Sequence, residues 1–596
     1  MQKLLSLNVF LLALSALIFS DYKSVFKTFS IKENQSVIRK YSPQENSGIR
    51  QKLTSMTLRE KIAQMIITNS FGYSLNENSE DYLRLKNLIV NEKIGGVIFF
   101  KGNSIQQAEL TNKLQSLSEI PLLISADYER GTRMRLDDGS LFPNNMALGA
   151  TRNPELAYKM GLMIAKECKA IGVHQNYAPV LDINNNSLNP IINVRSFGED
   201  PELVSSMGLS FIKGLQDGKI IATAKHFPGH GDTDIDSHSD LPVLNFSKER
   251  LESLELVPFK NAVNAGVKSV MIAHLSIPVY EKNKNMPASL SANIVDQLLI
   301  NEMKFNGLIV TDALNMSGVL KHFSTDEIAL NCIYAGIDLI LMPTTSNNKQ
   351  GEVEFINAIE NAVNNGQISE DRINKSVKKI LDAKDWLNLE QNKYVDADKV
   401  SGIINSPEAA DLSQKIADES VTLVKNNDNI IPFSNSQNQR CLIVSLNNGN
   451  EKANSDYFLQ KFSDKNKFSE VSYYDLTGDV ANVDEIISDS RNYDVIIIPI
   501  YAKVKIKTGT VGLPQTQIEL INSLADNGKK TAVVSFGNPY LIQGFNRVDA
   551  YICAYADAET SINSVIDSFY GTIKFKGKLP VTINNEFKYG DGITNN

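Results

Sequence analysis

Short apolar runs alternate with longer amphipathic stretches from about residue 57 to residue 385. Strands that are apolar throughout are typical of a parallel sheet whose faces are covered by helices. Residues 155–171 and 247–265 are predicted helices. At this length, the alternation predicts a (β/α)8 TIM-type barrel over residues 51–385, with a doubly wound open sheet as the alternative. The predicted strands are residues 94–100, 122–126, 173–180, 220–224, 269–273, 307–310 and 337–342.

The first ordered helix is predicted to begin beside Thr57. Thr57 and Glu60 have the spacing of a capping box, in which each side chain accepts a hydrogen bond from the other residue's backbone N–H. The apolar periodicity that follows predicts a helix over residues 58–67. Residues 21–50 are polar and carry no clear period, so we interpret them as a lead-in segment.

A second, smaller domain is predicted after a linker. Residues 386–405 are polar and irregular, as linkers usually are. Four apolar runs separated by helical patterns then predict an α/β sandwich domain over residues 406–596. This half of the sequence contains no glycine-rich phosphate loop or dinucleotide fingerprint. We interpret it as structural or as part of a cleft wall. The predicted strands are residues 441–446, 495–500, 532–536 and 550–554.

The amino-terminal twenty residues have the features of an export signal. Lys3 precedes a largely apolar run over residues 9–19, which is too short to span a bilayer comfortably. The cleavage site is indistinct, so an uncleaved membrane anchor stays open. We therefore expect the protein in the periplasm or outside the cell, either free or anchored through this segment.

Charge and cysteine content narrow the classes of function. The chain has 60 Lys and Arg against 68 Asp and Glu, a net charge of −8. A nucleic-acid-binding protein needs a basic face, which this balance argues against. The cysteines lie far apart without a CxxC spacing, so a zinc ribbon or a disulfide scaffold is disfavoured and buried thiols are expected. They are Cys168, Cys332, Cys441 and Cys553.

Histidine and aspartate are concentrated in one segment. Three of the six histidines and four aspartates fall within residues 225–240, where Gly229 and Gly231 predict a loop. A neighbouring carboxylate fixes the tautomer of a histidine and raises its basicity, and Asp236 and His238 offer that pairing. The same density of side chains suits zinc or manganese, so a metal-dependent hydrolase is an alternative.

Polar residues also end several predicted strands. Asp127, Asp182, His274 and Asp312 each follow an apolar run. A single carboxylate in that position is often a helix cap. Four polar ends of successive parallel strands meet at one face, however, and in an α/β barrel that face carries the catalytic residues.

The loop segment identifies a family. Lys225-His-Phe-Pro-Gly-His-Gly-Asp-Thr, with Asp236-Ser-His238, resembles the signature of glycoside hydrolase family 3, in its β-N-acetylglucosaminidase branch. The resemblance extends over roughly residues 50–345 and, more weakly, to the second domain. Its supporting stretches are Asn176-Tyr-Ala-Pro-Val-Leu-Asp182, Arg195-Ser-Phe-Gly-Glu-Asp200, Pro287-Ala-Ser-Leu-Ser291, Thr311-Asp-Ala-Leu314, Thr422-Leu-Val-Lys-Asn and Gly577-Lys-Leu-Pro-Val-Thr582.

The resemblance implies a retaining glycosidase without a cofactor or metal. Asp312 would be the nucleophile that forms a covalent glycosyl-enzyme. His238, oriented by Asp236, would be the general acid and then the general base. This differs from the usual pair of carboxylates. An imidazolium can nevertheless protonate the leaving oxygen, and the resulting imidazole can activate water.

The resemblance also implies residues that bind the sugar. Asp127 would accept hydrogen bonds from hydroxyl groups at the far end of the non-reducing sugar. The donors to the sugar's oxygens would be Arg135, Arg195, Lys225 and His226. Arg130 replaces a glycine of the family's Gly-Gly pair, which changes the local loop, and we expect it to form a surface salt bridge.

The predicted activity is that of an exo-β-N-acetylglucosaminidase. The expected substrates are N-acetylglucosamine-containing peptidoglycan fragments (muropeptides) or chitooligosaccharides. The resemblance implies no partner protein, and the sequence leaves the oligomeric state open. Open alternatives are a family 3 β-glucosidase, phosphorolysis in place of hydrolysis, the metal-dependent hydrolase, and a wall-binding protein on a degenerate glycosidase scaffold.

Overall fold

The computed structural model describes residues 47–233, 241–341, 351–433, 436–449, 452–502 and 512–594. The chain divides into two units, residues 1–51 and residues 52–596. Of the first unit, residues 47–51 are described, and they begin the helix Ser47–Ser55. The predicted export signal lies outside the described residues. Within the described ranges, none of the helices has the length and apolarity that a membrane crossing requires.

Eight parallel strands form the first sheet. Its spatial order is β7-β6-β5-β4-β3-β2-β1-β8, and a parallel bridge between Val310 and Leu339 joins the two ends of this order. The predicted TIM-type barrel is therefore confirmed. The strands are β1 (Ile66–Gly72), β2 (Gly96–Gly102), β3 (Leu123–Ala126), β4 (Gln175–Asn176), β5 (Ile221–Phe227), β6 (Ser269–Ile272), β7 (Leu308–Thr311) and β8 (Ile340–Leu341).

The first strand was missed because it continues an apolar stretch that starts in a helix. Thr57 and Glu60 form the predicted capping box. The helix ends at Gln64, however, and residues 66 and 67 already belong to β1, which pairs with β2 and β8. A short apolar run does not by itself distinguish a buried helix from a buried strand. The predicted helix over residues 58–67 is wrong at its carboxyl end for this reason.

Helices surround the barrel. The predicted helix over residues 247–265 is divided in two, and the second part has Pro258 in its first turn. The α-helices are α1 (Ser47–Ser55), α2 (Leu58–Gln64), α3 (Glu80–Asn87), α4 (Ser104–Leu117), α5 (Asn145–Thr151), α6 (Pro154–Ala170), α7 (Pro201–Asp217), α8 (Lys248–Ser253), α9 (Val257–Asn264), α10 (Ser317–Leu320), α11 (Thr325–Ala335), α12 (Gly351–Asn364) and α13 (Glu370–Trp386); Leu88–Glu92 and Asn293–Glu302 are π-helices.

Six strands form a second sheet in the carboxyl-terminal half. Its order is β11-β10-β12-β13-β14-β9, and only the β14–β9 pair is antiparallel among the pairs described. The strands are β9 (Thr422–Asn426), β10 (Arg440–Asn447), β11 (Glu470–Thr477), β12 (Val495–Tyr501), β13 (Lys530–Ser535) and β14 (Ala550–Cys553). The helices are α14 (Pro407–Ser420), α15 (Lys452–Lys465), α16 (Val483–Ser490), α17 (Gln515–Ala525) and α18 (Glu559–Phe569).

Helices cover both faces of this sheet, which confirms the predicted α/β sandwich. One face packs with Phe458 of α15 and Ile566 of α18, and the other with Ile486 of α16 and Leu520 of α17. Two strands were not predicted. The edge strand β11 is only half buried along most of its length, so it lacks an apolar run. All four cysteines, which lie in the described ranges, are buried and unpaired.

The second domain packs directly on the barrel. Met146, Ala147 and Ala150 of α5 belong to the same buried cluster as Leu579 and Val581. Polar contacts surround this cluster: the Glu199 carboxylate accepts hydrogen bonds from the backbone N–H and the hydroxyl group of Thr582, at 2.7 and 2.6 Å. The two domains therefore share an apolar core.

Candidate active site

The carboxyl ends of the barrel strands carry the polar residues that the sequence predicted. Asp127 directly follows β3, and Asp312 directly follows β7. His274 lies two residues beyond β6, and Lys225 and His226 lie near the end of β5. Parallel strands place these ends on one face of the barrel, where barrel enzymes have their active sites.

Lys225 lies between two carboxylates. Its Nζ is 2.8 Å from Oδ1 of Asp127 and 2.9 Å from Oε1 of Glu129, and Arg135 Nη2 donates to Asp127 Oδ2 at 3.1 Å. Burial by itself would lower the pKa of the Lys225 ammonium, but the two carboxylates outweigh this and raise it. Burial would likewise raise the pKa of the Asp127 carboxyl, but Lys225 and Arg135 hold it below its usual value. The site therefore keeps these charges at neutral pH.

Glu129 holds Arg195 by two hydrogen bonds. Arg195 Nε and Nη2 donate to the Glu129 oxygens at 2.9 and 2.7 Å. Burial would raise the pKa of the Glu129 carboxyl, but Arg195 and Lys225 hold it well below its usual range. A bidentate pair of this kind fixes the plane of the guanidinium. Glu129 thus positions two of the predicted sugar-binding residues.

Asp182 organises the start of the histidine-rich loop. It is fully buried, and its Oδ2 lies 2.7 Å from Nδ1 of His226. It also accepts hydrogen bonds from the backbone N–H of His226, at 3.2 Å, and from that of His230, at 2.8 Å. With Nδ1 bound to a carboxylate, Nε2 of His226 is directed to the side of Arg195, 3.4 Å from its Nη2.

Asp312 is held at the end of β7 by backbone contacts. Its N–H donates to the Ile272 carbonyl at 3.0 Å, and its Oδ1 accepts from Ala313 N–H at 2.8 Å. Burial would raise the pKa of the Asp312 carboxyl, but the nearby His274 and His226 side chains outweigh it and the pKa lies below its usual value. Asp312 is therefore an anion at neutral pH, as a nucleophile must be.

His274 contacts the same strand end as Asp312. Its Nε2 lies 3.0 Å from the Ala313 carbonyl, to which it donates, and its Nδ1 lies 2.8 Å from the Ser289 hydroxyl. Ser289 belongs to one of the stretches that carried the family resemblance. These two contacts fix the ring beside the segment that carries Asp312.

The base of the histidine-rich loop is buried and anchored. Asn189 Nδ2 donates to the carbonyls of His230 and Gly231 at 2.9 and 2.8 Å. Burial lowers the pKa of His230 to about 4, so its ring is neutral at physiological pH. Residues 234–240 lie outside the described residues, and with them Asp236 and His238. Their role as acid/base dyad stays a prediction.

The structure brings the predicted sugar-binding residues together and adds three residues to them. Asp127, Arg135, Arg195, Lys225 and His226 are linked by the contacts described above. Glu129, Asp182 and His274 had no predicted role. Asp182 and His274 had been noticed as polar strand ends, and Glu129 lies two residues beyond Asp127, which is the only indication the sequence offers.

The arrangement combines an anionic carboxylate with fixed donors and acceptors. Asp312 can attack an electrophilic carbon, while Asp127 and its cationic neighbours can exchange hydrogen bonds with a polyhydroxylated ligand. Within the described residues, no three His, Cys, Asp or Glu side chains are placed to hold a metal ion. The metal-dependent alternative uses the loop from His226 to His238, of which residues 234–240 lie outside the described residues.

Arg130 forms a salt bridge, as predicted, and its partner belongs to the second domain. Its Nη1 lies 3.7 Å from Oδ1 of Asp557, which also accepts a hydrogen bond from Asn454 Nδ2 at 3.1 Å. The loop that carries Glu129 therefore contacts the second domain directly.

Comparisons with known proteins agree with this fold. The Pseudoalteromonas piscicida β-hexosaminidase A is 28% identical over 558 residues, which are 84% of this chain and 91% of that protein. A glycoside hydrolase family 3 β-N-acetylglucosaminidase from Paenibacillus sp. str. FPU-7 is 31% identical, with a TM-score of 0.78 over 89% of this chain and 99% of that one. A β-glucoside phosphorylase is 26% identical, with a TM-score of 0.80 over 90% of this chain and 96% of that one.

Family profiles match both domains. The glycosyl hydrolase family 3 N-terminal domain matches residues 57–383, and the family's C-terminal domain matches residues 421–593. The first match alone covers more than half of the chain. Together with the barrel, the sandwich domain and the charged cluster around Asp127 and Asp312, these matches show that the chain belongs to glycosyl hydrolase family 3.

Proposed function

We propose that the protein is a retaining exo-β-N-acetylglucosaminidase. It removes terminal, non-reducing N-acetylglucosamine from peptidoglycan fragments or chitooligosaccharides. The observation that carries this proposal is the cluster of paired charges formed by Asp127, Glu129, Lys225 and Arg195 on the face of the barrel that holds the anionic Asp312. The relatives named as β-hexosaminidase and β-N-acetylglucosaminidase support the choice of sugar.

The reaction proceeds in two steps. In the first, Asp312 attacks the anomeric carbon and a covalent glycosyl-enzyme forms, while the His238 imidazolium protonates the departing oxygen. In the second, the neutral His238 imidazole takes a proton from water, which attacks the anomeric carbon and releases Asp312. Asp236 stabilises the imidazolium and stays an anion throughout. Overall configuration is retained because the carbon is inverted twice.

The charged cluster binds the sugar. Asp127 accepts hydrogen bonds from sugar hydroxyls, and Lys225, Arg135 and Arg195 supply the donors. Each of these cations already contacts a carboxylate within about 3 Å, so the side chains are fixed before the sugar arrives. A site that is organised in advance loses less conformational entropy on binding.

The proposed site of action is the periplasm or the outside of the cell. The apolar run behind Lys3 supports export, and peptidoglycan fragments are substrates that an exported enzyme meets. Cell fractionation tests this: activity in the periplasmic or extracellular fraction is expected, and activity confined to the cytoplasm would contradict it.

The decisive experiment compares aryl glycosides. Release of nitrophenol from the β-N-acetylglucosaminide is expected to exceed release from the β-glucoside and to survive chelator. Asp312→Ala should lower this turnover at least about 10⁴-fold, because the nucleophile is lost. Asp398→Ala, which removes an exposed carboxylate outside the site, is the matched control and should retain activity. Activity that survives Asp312→Ala would falsify the assigned nucleophile.

The acid/base pair is tested by comparing substrates whose leaving groups differ in their need for protonation. His238→Ala should slow natural oligosaccharides by about 10²–10⁴-fold and slow activated aryl glycosides less, because a good leaving group needs little protonation. Equal losses of turnover on both substrates would show that His238 is not the general acid. Loss of activity on chelation would favour the metal-dependent alternative instead.

Phosphorolysis is the second candidate, and the similarity to a β-glucoside phosphorylase favours it. Inorganic phosphate would then replace water in the second step and give a sugar 1-phosphate. Product analysis with and without phosphate separates the two reactions. Preference for the β-glucoside in the same assay would identify the protein as a family 3 β-glucosidase.

A further inference from the structure

An apolar groove rimmed by lysines runs along the outside of the barrel, away from the active site. It consists of two adjoining cavities of about 730 and 620 Å³ that share Lys169, Ala170 and Ile403. We call it the basic groove and define it by six of its lining residues: Lys159, Leu162, Lys166, Lys169, Trp386 and Tyr394.

The outer face of α6 forms one side of the groove. Lys159, Leu162, Lys166 and Lys169 are all exposed, and their spacing of three, four and three residues puts them on one face of the helix. Met163 and Ala170 lie beside them and line the groove as well. Apolar side chains therefore alternate with ammonium groups along this helix.

The groove continues to the amino-terminal end of the barrel. Val173 and His174 precede β4, Ile220 precedes β5, and all three line the second cavity. The single tryptophan, Trp386, lies there with the ammonium groups of Lys219 and Lys268 over its ring, 4.8 and 4.4 Å from the centroid. The active site lies at the opposite, carboxyl-terminal face of the barrel.

The charge of the groove opposes that of the whole chain. The protein has a net charge of −8, whereas the groove is lined by five lysines and two acidic residues. Leu162 is 39% exposed and Tyr394 54% exposed, so apolar surface is open to a ligand. Aromatic and aliphatic side chains among lysines are the combination that binds the interface of an anionic bilayer.

We propose that the basic groove docks the protein on an anionic lipid surface. Apolar side chains of the groove contact lipid acyl chains, while Lys159, Lys166 and Lys169 contact the anionic headgroups. Lysine is suited to this position because its aliphatic stem packs on apolar surface while its ammonium group reaches the headgroups. The active site then faces away from the membrane. This inference does not depend on the sugar or on the reaction.

The test is partition of the purified protein onto vesicles. Binding is expected to vesicles of phosphatidylglycerol and to be weak on vesicles of phosphatidylcholine, and it should weaken with added salt. Lys166→Gln together with Lys169→Gln should weaken binding about 30-fold, since each lysine near an anionic surface contributes about 1 kcal/mol. Leu162→Ser tests the apolar contribution and should also weaken binding.

The control removes the same charge elsewhere. Lys375 and Lys378 are exposed on α13 and do not line the groove, so replacing both with Gln should leave vesicle binding unchanged. All these variants should keep wild-type turnover of soluble aryl glycosides. The proposal is overturned if wild type ignores phosphatidylglycerol vesicles, binds both lipids equally, or loses as much binding in the control as in the groove variant. Binding of an acidic peptide without binding of vesicles would also overturn it.

Discussion

At the scale of single residues, the site is a chain of alternating charge. Arg135 contacts Asp127, Asp127 contacts Lys225, and Lys225 contacts Glu129, which in turn holds Arg195. Lys225 is 2% exposed and Glu129 3%. Buried charges are tolerated when each is paired with an opposite charge and hydrogen bonded, so removal of one member leaves its neighbours uncompensated.

Lys225→Met tests this dependence. It leaves two buried carboxylates without their shared cation, so we expect a loss of about 3 kcal/mol of stability and at least about 10²-fold in kcat/KM. Urea denaturation and nitrophenol release measure the two effects. Lys378→Met, which removes an exposed lysine 2.8 Å from Asp382, should change neither. Equal effects of both variants would contradict the assigned role of Lys225.

Two buried histidines predict how stability depends on pH. Burial lowers the pKa of His174 to about 3 and that of His230 to about 4, while an unfolded histidine titrates near 6.5. The unfolded state therefore binds more protons below pH 6.5, and stability falls as the pH falls from there. Each histidine contributes a loss of about 1.6 kcal/mol between pH 6.5 and pH 5.

Thermal melting at pH 7 and pH 5 measures this loss. His174 Nδ1 accepts a hydrogen bond from Ile124 N–H at 3.1 Å, which requires an unprotonated nitrogen. His174→Asn keeps an acceptor without the titration, so its melting temperature should fall less between the two values of pH than that of wild type. His322→Asn, on an exposed histidine, is the control and should behave as wild type. An unchanged slope in His174→Asn would rule out this source of pH dependence.

At the scale of elements, periodicity located most strands but not all. The strands with continuous apolar runs were predicted, whereas β1 was read as the end of a helix and β11 has a half-buried pattern. The histidine-rich loop was recognised from Gly229 and Gly231. The close packing of this loop was not predicted, because it depends on the carbonyl oxygen of Ile183, which belongs to the segment after β4 and lies against Gly231.

Gly231→Ala tests that approach. A Cβ at this position would lie 1.7 Å from the Ile183 carbonyl oxygen, so the base of the loop must shift. A displacement of about 1 Å in a catalytic group can cost about 10²-fold, and we expect a loss of at least that size in kcat. In Gly402→Ala the new Cβ meets no described atom within 4 Å, so full activity is expected. Wild-type kcat in Gly231→Ala would show that the loop does not depend on this contact.

At the scale of the whole molecule, the barrel and the second domain are packed into one compact unit. They share a buried cluster that includes Ala147 of α5 and Leu579, and polar contacts such as the 2.7 Å hydrogen bond from Arg152 to the Leu579 carbonyl surround it. An interface that resembles a domain core resists separation of the two parts.

Calorimetry tests whether the two domains unfold together. We expect one cooperative transition for the full chain. Ala147→Asp buries an unpaired carboxylate in the shared cluster and should lower that transition by an amount equivalent to about 3 kcal/mol, whereas Ala410→Asp, at an exposed position of α14, should not. Two separate transitions, of which Ala147→Asp lowers only one, would show independent domains.

The sequence by itself determined the barrel, the sandwich domain and the strand ends and loop on which the candidate site residues lie. Continuous apolar strands, helical periodicity and the segment from Lys225 to His238 are local patterns, and local patterns can be read without a fold. The polar strand ends Asp127 and Asp312 could be placed on one face because all parallel strands end there.

Only the tertiary structure decided how these residues are paired. Glu129 and Arg195 are 66 residues apart, Asp182 and His226 are 44 apart, and Arg130 meets Asp557 across the domain boundary. Such pairs depend on side-chain direction and on a few ångströms of separation. Both are set by the packing of elements that are distant in the sequence. The basic groove also depends on the tertiary structure. Helix α6 supplies three of its five lysines, but the segments beside Trp386 and Ile403 that complete it are brought there by the fold.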